Sequence, residues 1–266
     1  GAKILFVDEE FEDTADRMRG QFDLPNLQYF FLISQESRNR RNYLPFKLLK
    51  NRATPLETIV HEQDPLFIMY TSGTTGIPKG AKGSHLGVIH SVMNYQQIFR
   101  TTNQTKTLIT IPLFHVTGLI GQLLHMVKVG GTSVIMRNYK TPEYLKLVND
   151  KDITFLFNFP AIYIMMLGHP EFNVYQFTKV KTIAYGGAPL PSEVYYSLRV
   201  NFPNAFLHNA YGATETQSPT TLMPKHYAES KVKSVGCAVP GAELKIVNEE
   251  GKSCVPGEIG ELLIKG

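Results

Sequence analysis

The 266-residue chain is poor in cysteine, carries little net charge and has no long apolar run. Each shortage closes off a class of protein. Only Cys237 and Cys254 occur, with no Cys-x-x-Cys, so neither a disulfide framework nor a structural zinc site is expected and a reducing, cytoplasmic setting fits. Lys and Arg total 27 against 23 Asp and Glu, a net charge of +4. That excess is too mild for the dense basic stripe of a nucleic-acid binder. The most apolar stretch, ITFLFNFPAIYIMMLG (153–168), is interrupted by Asn158 and Pro160 and is shorter than the roughly 20 residues of a membrane span. The N-terminus, GAKILFVDEEFED, has acids where a signal peptide would carry an apolar core.

What is present is a series of short β-branched and aromatic runs: ILFV (4–7), YFFLI (29–33), LFIMY (66–70), TLITI (107–111), TSVIM (132–136), ITFLF (153–157), VKTIAY (180–185) and AFLHNAY (205–211). Several are apolar throughout rather than alternating, as strands buried on both faces of a parallel sheet are. Helix-length stretches separate most of them. Residues 84–100 follow a plausible N-cap, Ser84, and put Leu86, Ile89, Val92, Met93 and Gln96 on one face. Residues 141–150 open on Thr-Pro, and residues 190–200 have a proline and Ser-Glu at their start. The alternation predicts an α/β fold, with mainly parallel sheets flanked by helices. The last stretch differs: ELKIV and GELLIKG alternate on either side of a Glu-Glu-Gly-Lys turn, which predicts a small antiparallel β subdomain. A boundary near Val232 then divides an α/β core (1–231) from a β subdomain (232–266). The linker 37–52 carries six Lys and Arg and no acid. It reads as a solvated loop or as a surface that attracts phosphate, for instance that of coenzyme A.

YTSGTTGIPKG (70–80) directly follows a strand-like run. Glycines leave backbone amides accessible, threonine and serine hydroxyls add donors, and Lys79 adds a charge next to Pro78. These groups suit a polyphosphate. The P-loop pattern is absent, however, because the lone Gly-Lys pair, Gly251-Lys252, has Ile246 where the first glycine belongs. Read alone, the segment is a phosphate loop of another type or simply a flexible loop. His115, in PLFHVTG (112–118), reads alone as a packed core histidine or a site residue. The other histidines form no metal-binding pattern, and neither cysteine is read as a nucleophile.

Taken together, YTSGTTGIPKG, PLFHVTG, YGGAPL (185–190) and NAYGATET (209–216) resemble, in order, the motifs of the adenylate-forming superfamily: acyl-CoA synthetases, aryl-CoA ligases, nonribosomal peptide adenylation domains and beetle luciferases. The resemblance implies ATP-dependent activation of a small-molecule carboxylic acid to an acyl-adenylate, followed by thioester formation with coenzyme A. It implies that Thr71, Ser72, Gly73, Thr74, Thr75, Gly76 and Lys79 hold the β- and γ-phosphates. Gly187, Ala188 and Pro189 would line the adenine side, Tyr211 would stack on adenine, and Asn209, Ala210 and Gly212 would lie beside it. Thr214 would donate to the α-phosphate and Glu215 would ligate Mg²⁺. His115, Gly118, Gly187 and Gly212 would border the acyl pocket, with Gly118 and Gly121 leaving it space. Thr214, Glu215, Lys79 and His115 would be the catalytic set. Amino-acid-activating members usually carry an aspartate where Phe114 and His115 stand, so a fatty or aryl acid is favoured.

The family's ribose-binding aspartate, hinge and lid lysine fall outside residues 1–266, and the chain is expected to be the core of a longer enzyme, binding nucleotide but catalytically incomplete. Two other readings stand beside this one: a nucleotide-binding or interaction module without chemistry, and an adenylation domain that feeds a carrier protein.

Overall fold

The computed structural model describes residues 1–34, 42–49, 57–71, 76–227 and 229–266. The chain gathers into two compact units, Gly1–Ile59 and Val60–Gly266. Five of the six basic residues of the linker 37–52, all but Lys47, lie outside the described residues.

In the first unit, β1 (Ile4–Asp8), α1 (Glu12–Gln21), β2 (Tyr29–Ile33) and β3 (Leu44–Pro45) form a three-stranded parallel sheet with one helix, in strand order β1-β2-β3. Its small core is Val7, Ala15, Leu32 and Tyr43. The Arg19 guanidinium lies 3.8 Å from the centroid of the Phe30 ring. The Tyr43 hydroxyl donates to Asp16 at 2.8 Å. Burial, and then that carboxylate, push the Tyr43 phenol up to about 12.

The second unit begins with an antiparallel hairpin, β4 (Pro65–Thr71) and β5 (Lys79–Ser84), which leads into α2 (His85–Phe99). There follow β6 (Lys106–Ile109), a π-helical segment (Thr117–Leu124) running directly into α3 (His125–Val129), β7 (Thr132–Ile135), α4 (Thr141–Asp150), β8 (Phe155–Asn158), α5 (Pro160–Leu167), β9 (Thr182–Gly186), α6 (Ser192–Asn201) and β10 (Phe206–Tyr211). The unit ends with β11 (Thr221–Leu222), β12 (Cys237–Ala238), β13 (Glu243–Val247) and β14 (Glu261–Lys265). The main sheet has the order β12-β11-β10-β9-β8-β6-β7. Its β10-to-β7 part is parallel, and β11 and β12 add an antiparallel edge. This edge extends past the expected boundary near Val232. The pair β13–β14 is antiparallel, from Glu243 opposite Lys265 to Val247 opposite Glu261.

The runs without alternation are the central strands: every residue of β8 and β9 is buried. Leu156, Ile183 and Leu207 pack beneath Tyr144, Leu145, Tyr163, Tyr195 and Leu198 of α4–α6. Phe155, Phe157 and Ala184 face Tyr95 and Phe99 of α2 and Met126 of α3. Burying each such large side chain contributes about 1.5–3 kcal/mol, so the two helical layers hold the sheet between them.

Helix α2 corrects one expectation. Ser84 caps it, accepting from the Gly87 amide at 3.1 Å. Its buried face, however, is Val88, Ser91, Val92, Asn94, Tyr95 and Phe99, while Ile89 and Met93 are about half exposed (47% and 50%). Two polar residues lie on the core side because partners far along the chain satisfy them. Ser91 donates to the Gln217 carbonyl, and Asn94 to the Pro240 carbonyl. Among the described residues no helix is long and apolar enough to cross a membrane.

Candidate active site

The motif residues collect where parallel strands end. His115 follows β6, Gly187 to Pro189 follow β9, and Tyr211 to Glu215 close and follow β10. The register Ala210 opposite Gly186 sets Tyr211 beside Gly187. Crevices outside the carboxyl ends of parallel strands are the usual ligand position in open α/β sheets. Gly187, Ala188 and Pro189 are exposed there, anchored by buried Leu190. A Cβ on Gly186 would come within 2.3 Å of the Ala210 carbonyl oxygen, so the two strands approach too closely for any other residue.

His115 is half-buried. The Thr117 amide donates to its Nδ1 at 3.1 Å, so the neutral ring carries its proton on Nε2. Burial lowers its pKa below the ordinary value, and the ring is uncharged at neutral pH. It meets Phe159 edge to face, with centroids 5.3 Å apart. Phe159 also fills the place of a Gly187 side chain: a Cβ there would lie 2.8 Å from its Cε1, and the Gly187 φ is +77°. Phe159, which directly follows β8, thus joins the PLFHVTG and YGGAPL stretches. Sequence reasoning passed over it; the available signal was its place at a strand end just before Pro160.

Gly118 and Gly121 do not open space as expected. A Cβ on Gly118 would meet the Pro112 and Ile111 carbonyl oxygens at 2.4 and 2.6 Å, and one on Gly121 would meet the Phe157 ring at 2.9 Å. Both glycines serve close packing of the π-helical segment.

The turn after β10 is built on itself and on α2. The Ala213 amide donates to the Thr216 hydroxyl oxygen at 3.1 Å, the Gln217 amide to the Thr214 carbonyl at 3.1 Å and the Ser218 amide to the Ala213 carbonyl at 3.3 Å. Gln217 and Ser218 have φ of +56° and +35°, a left-handed geometry that costs about 1–2 kcal/mol per non-glycine residue. Long-range hydrogen bonds hold it. The Ser84 amide donates to Gln217 Oε1 at 3.0 Å, Ser91 to the Gln217 carbonyl at 2.9 Å, and the buried Tyr95 and Ser218 hydroxyls share a bond of 2.9 Å. A Cβ on Gly212 would lie 2.8 Å from Ser218 Oγ, so this position too is reserved for glycine. In the turn, Thr214 is half-buried and Glu215 is exposed. Asn209 is buried and its amide donates to the Ser234 carbonyl at 2.9 Å; Ala210 is buried within the sheet.

In the β4–β5 hairpin, Thr71 pairs with Lys79 and Tyr70 with Gly80. Lys79 is exposed, and Gly76 has a φ of +78° with open space around it. Ser72, Gly73, Thr74 and Thr75 lie outside the described residues. The hairpin ends at Ser84, whose amide reaches Gln217, so the first and last motifs are physically connected.

The whole chain, residues 1–266, matches the family model described as AMP-binding enzyme. The chain belongs to this family. It is 29% identical to the indoleacetate–CoA ligase of Aromatoleum aromaticum, over 99% of this chain and 51% of that protein. It is 32% identical to 4-coumarate–CoA ligase 2 of Nicotiana tabacum, over 79% of this chain and 40% of that protein. Among solved structures, the inhibitor-bound N-terminal domain of FACL13 from Mycobacterium tuberculosis superposes with a TM-score of 0.87 at 25% identity, covering 99% of this chain and 64% of that one. The anthranilate CoA ligase AuaEII in complex with anthranoyl-AMP gives 0.87 at 24% identity, covering 99% and 50%, and shares the fold. The chain spans about half the length, or less, of these curated relatives.

The donor set bears on the Mg²⁺ that the family motifs imply. The Glu215 carboxylate has no hydrogen bond or ion pair among the described residues, and these residues contain no cluster of three His, Cys, Asp or Glu. A single free carboxylate beside phosphate oxygens and water fits Mg²⁺ and does not fit zinc.

Proposed function

We propose that the protein containing this chain activates a carboxylic acid with ATP, forming an acyl-adenylate, and transfers the acyl group to coenzyme A. One observation carries this reading: His115, Gly187–Pro189 and the Tyr211–Glu215 turn follow β6, β9 and β10 of one sheet, and the turn is hydrogen-bonded through Gln217 to the base of the hairpin that carries Thr71 and Lys79.

In this reading Thr71, Gly76 and Lys79, with Ser72 to Thr75, hold the β- and γ-phosphates. Thr214 donates to the α-phosphate, where negative charge grows as the carboxylate attacks, and such preorganised donors supply a large share of catalysis. Glu215 holds Mg²⁺, which when bound neutralises phosphate charge. Gly187 to Pro189 and Tyr211 border adenine, with Asn209, Ala210 and Gly212 shaping the strand end beneath it. His115 and Gly187 belong to the acyl side, with Gly118 and Gly212 packed against the backbone and turn that carry it, and there neutral His115 and the ring of Phe159 offer no counter-charge for a substrate ammonium. This favours a fatty or aryl acid, and the CoA ligases among the relatives support the class. Residues 1–231 are read as the core of the large N-terminal domain and residues 232–266 as the start of a small β subdomain.

The test is ATP–pyrophosphate exchange by the full-length protein against a panel of fatty, aryl and amino acids, followed by thioester formation with coenzyme A. Exchange with a fatty or aryl acid and a coenzyme A thioester as product are expected. Nucleotide binding without exchange for any acid refutes the enzymatic reading and favours a binding module, whereas exchange confined to amino acids refutes the substrate class.

A further inference from the structure

Gln217 directly follows the NAYGATET stretch and lies outside the residues read as binding ATP. Its side chain spans 133 positions of sequence to accept the Ser84 amide. Ser84 is at once the last residue of β5 and the N-cap of α2. Gln217 is also the residue at which the turn bearing Thr214 and Glu215 enters positive φ, and its own carbonyl is held by Ser91. The amide therefore sits between the hairpin that presents Lys79 and the turn that presents Thr214. Its seat is shaped for it. A Cβ on Gly87 would lie 2.2 Å from Gln217 Nε2 and 2.5 Å from Oε1, so only glycine at 87 lets the side chain lie flat against the first turn of α2.

We propose that Gln217 is a positioning residue that locks the spacing between the two halves of the phosphate site, with Gly87 as its socket. The proposal rests on the reading that the chain binds ATP across both halves. ATP engages the hairpin through its outer phosphates and the turn through its α-phosphate, whereas AMP engages only the turn. A fixed spacing rewards the ligand that spans both. Gln217 thus contributes to the preference for ATP over AMP, and to the rate of a reaction whose charge develops between the two halves.

The experiment uses the full-length protein as wild type, Q217E, Q217M, Q217A, G87A and G87A/Q217A, with unfolding midpoints measured for each. Mg·ATP and AMP are titrated by calorimetry, and pyrophosphate exchange is followed where an acid supports it. Q217E keeps the acceptor oxygen and is expected within about threefold of wild type. Q217M is close in shape but lacks the acceptor. It is expected to lose about tenfold in ATP affinity with AMP affinity unchanged, and to lower kcat by about ten- to a hundredfold at a nearly constant KM for the acid. G87A reproduces the Q217M pattern by pushing the amide out of its seat, and G87A/Q217A is no worse than Q217A because nothing remains to displace. A Q217M protein that retains the wild-type ATP-to-AMP affinity ratio overturns the proposal, as do G87A and Q217A losses that multiply. A wild type that binds AMP and ATP without exchange refutes the adenylation chemistry alone, because the affinity ratio still decides the role of Gln217. A wild type that binds neither nucleotide overturns both.

Discussion

Replacing Gly187 with alanine strains the site in two separable ways. The Gly187 φ of +77° is a conformation that a side chain disfavours, at a cost of about 1–2 kcal/mol. In addition, the new Cβ would stand 2.8 Å from Cε1 and 2.9 Å from Cδ1 of Phe159. That ring is also in contact with His115, at 5.3 Å between centroids, which limits its retreat. Phe159 is only half-buried, which places the overlap cost at the lower end of overpacking penalties, about 1–2 kcal/mol. Gly187→Ala should therefore destabilise the protein by about 2–4 kcal/mol. Urea unfolding of Gly187→Ala, Phe159→Leu and the double variant separates the two parts. Leucine at 159 removes the ring edge, so the overlap disappears while the φ cost stays. The double variant should be less destabilised than the sum of the singles by about 1–2 kcal/mol. Full additivity would refute Phe159 as the obstacle, and a Gly187→Ala loss below about 0.5 kcal/mol, the range of an ordinary surface change, would refute the backbone geometry itself.

Glu215→Gln should lower pyrophosphate exchange by about a hundredfold or more, with unfolding changed by less than about 0.5 kcal/mol because the carboxylate is exposed; retained exchange would remove Glu215 from the metal site. Tyr95→Phe leaves the buried Ser218 hydroxyl without the partner it has at 2.9 Å and should cost about 1–2 kcal/mol in urea unfolding. Burial depresses His125 from 6.5 to about 4, so below pH 6.5 the unfolded chain binds a proton that the folded chain refuses. The stability due to neutral His125 is complete above about pH 6.5 and drains away as the pH falls toward 4, by about 3 kcal/mol at most. His125→Gln should flatten that limb of the stability–pH curve, and an unchanged slope would reject the assignment.

The eight strand-like runs all correspond to strands in the structure. In β8 and β9 burial on both faces imprints itself as uninterrupted apolar sequence, whereas β1, β4 and β7 are largely exposed and were legible through their β-branched and aromatic residues. Strand β5 escaped notice for the converse reason. KGAKGS offers no β-branched or aromatic residue, and it is a strand because Thr71, Tyr70 and Met69 pair with it. The α2 face is not legible from apolarity alone. Ser91 and Asn94 point inward to partners at 217 and 240, which no local pattern reveals. The motifs in the site were legible as residue types, but their supports were not. Phe159 reaches Gly187 across 28 positions, Tyr95 reaches Ser218 across 123 and Gln217 reaches Ser84 across 133.

Those supports differ from the motifs in what changing them should do. The strand-end loops can vary at exposed Ala188, Pro189 or Phe114 without touching the sheet, whose parallel core is closed by buried tyrosines and phenylalanines. Loops on a rigid scaffold are where new specificity arises at little structural cost. The glycines at 186, 212 and 118 are different, since each is pressed against backbone or a turn side chain within 2.8 Å of a would-be Cβ. A substitution there moves the backbone that carries Tyr211, Thr214 or His115. Substrate range should therefore respond to changes at 114, and nucleotide affinity to changes at 188 and 189, with unfolding nearly constant, while changes at 118, 186 and 212 should lower stability and exchange together for every acid tested. An alanine at 186 or 118 that altered only the preferred acid, at wild-type stability, would show that these positions face the acyl chain and not the protein.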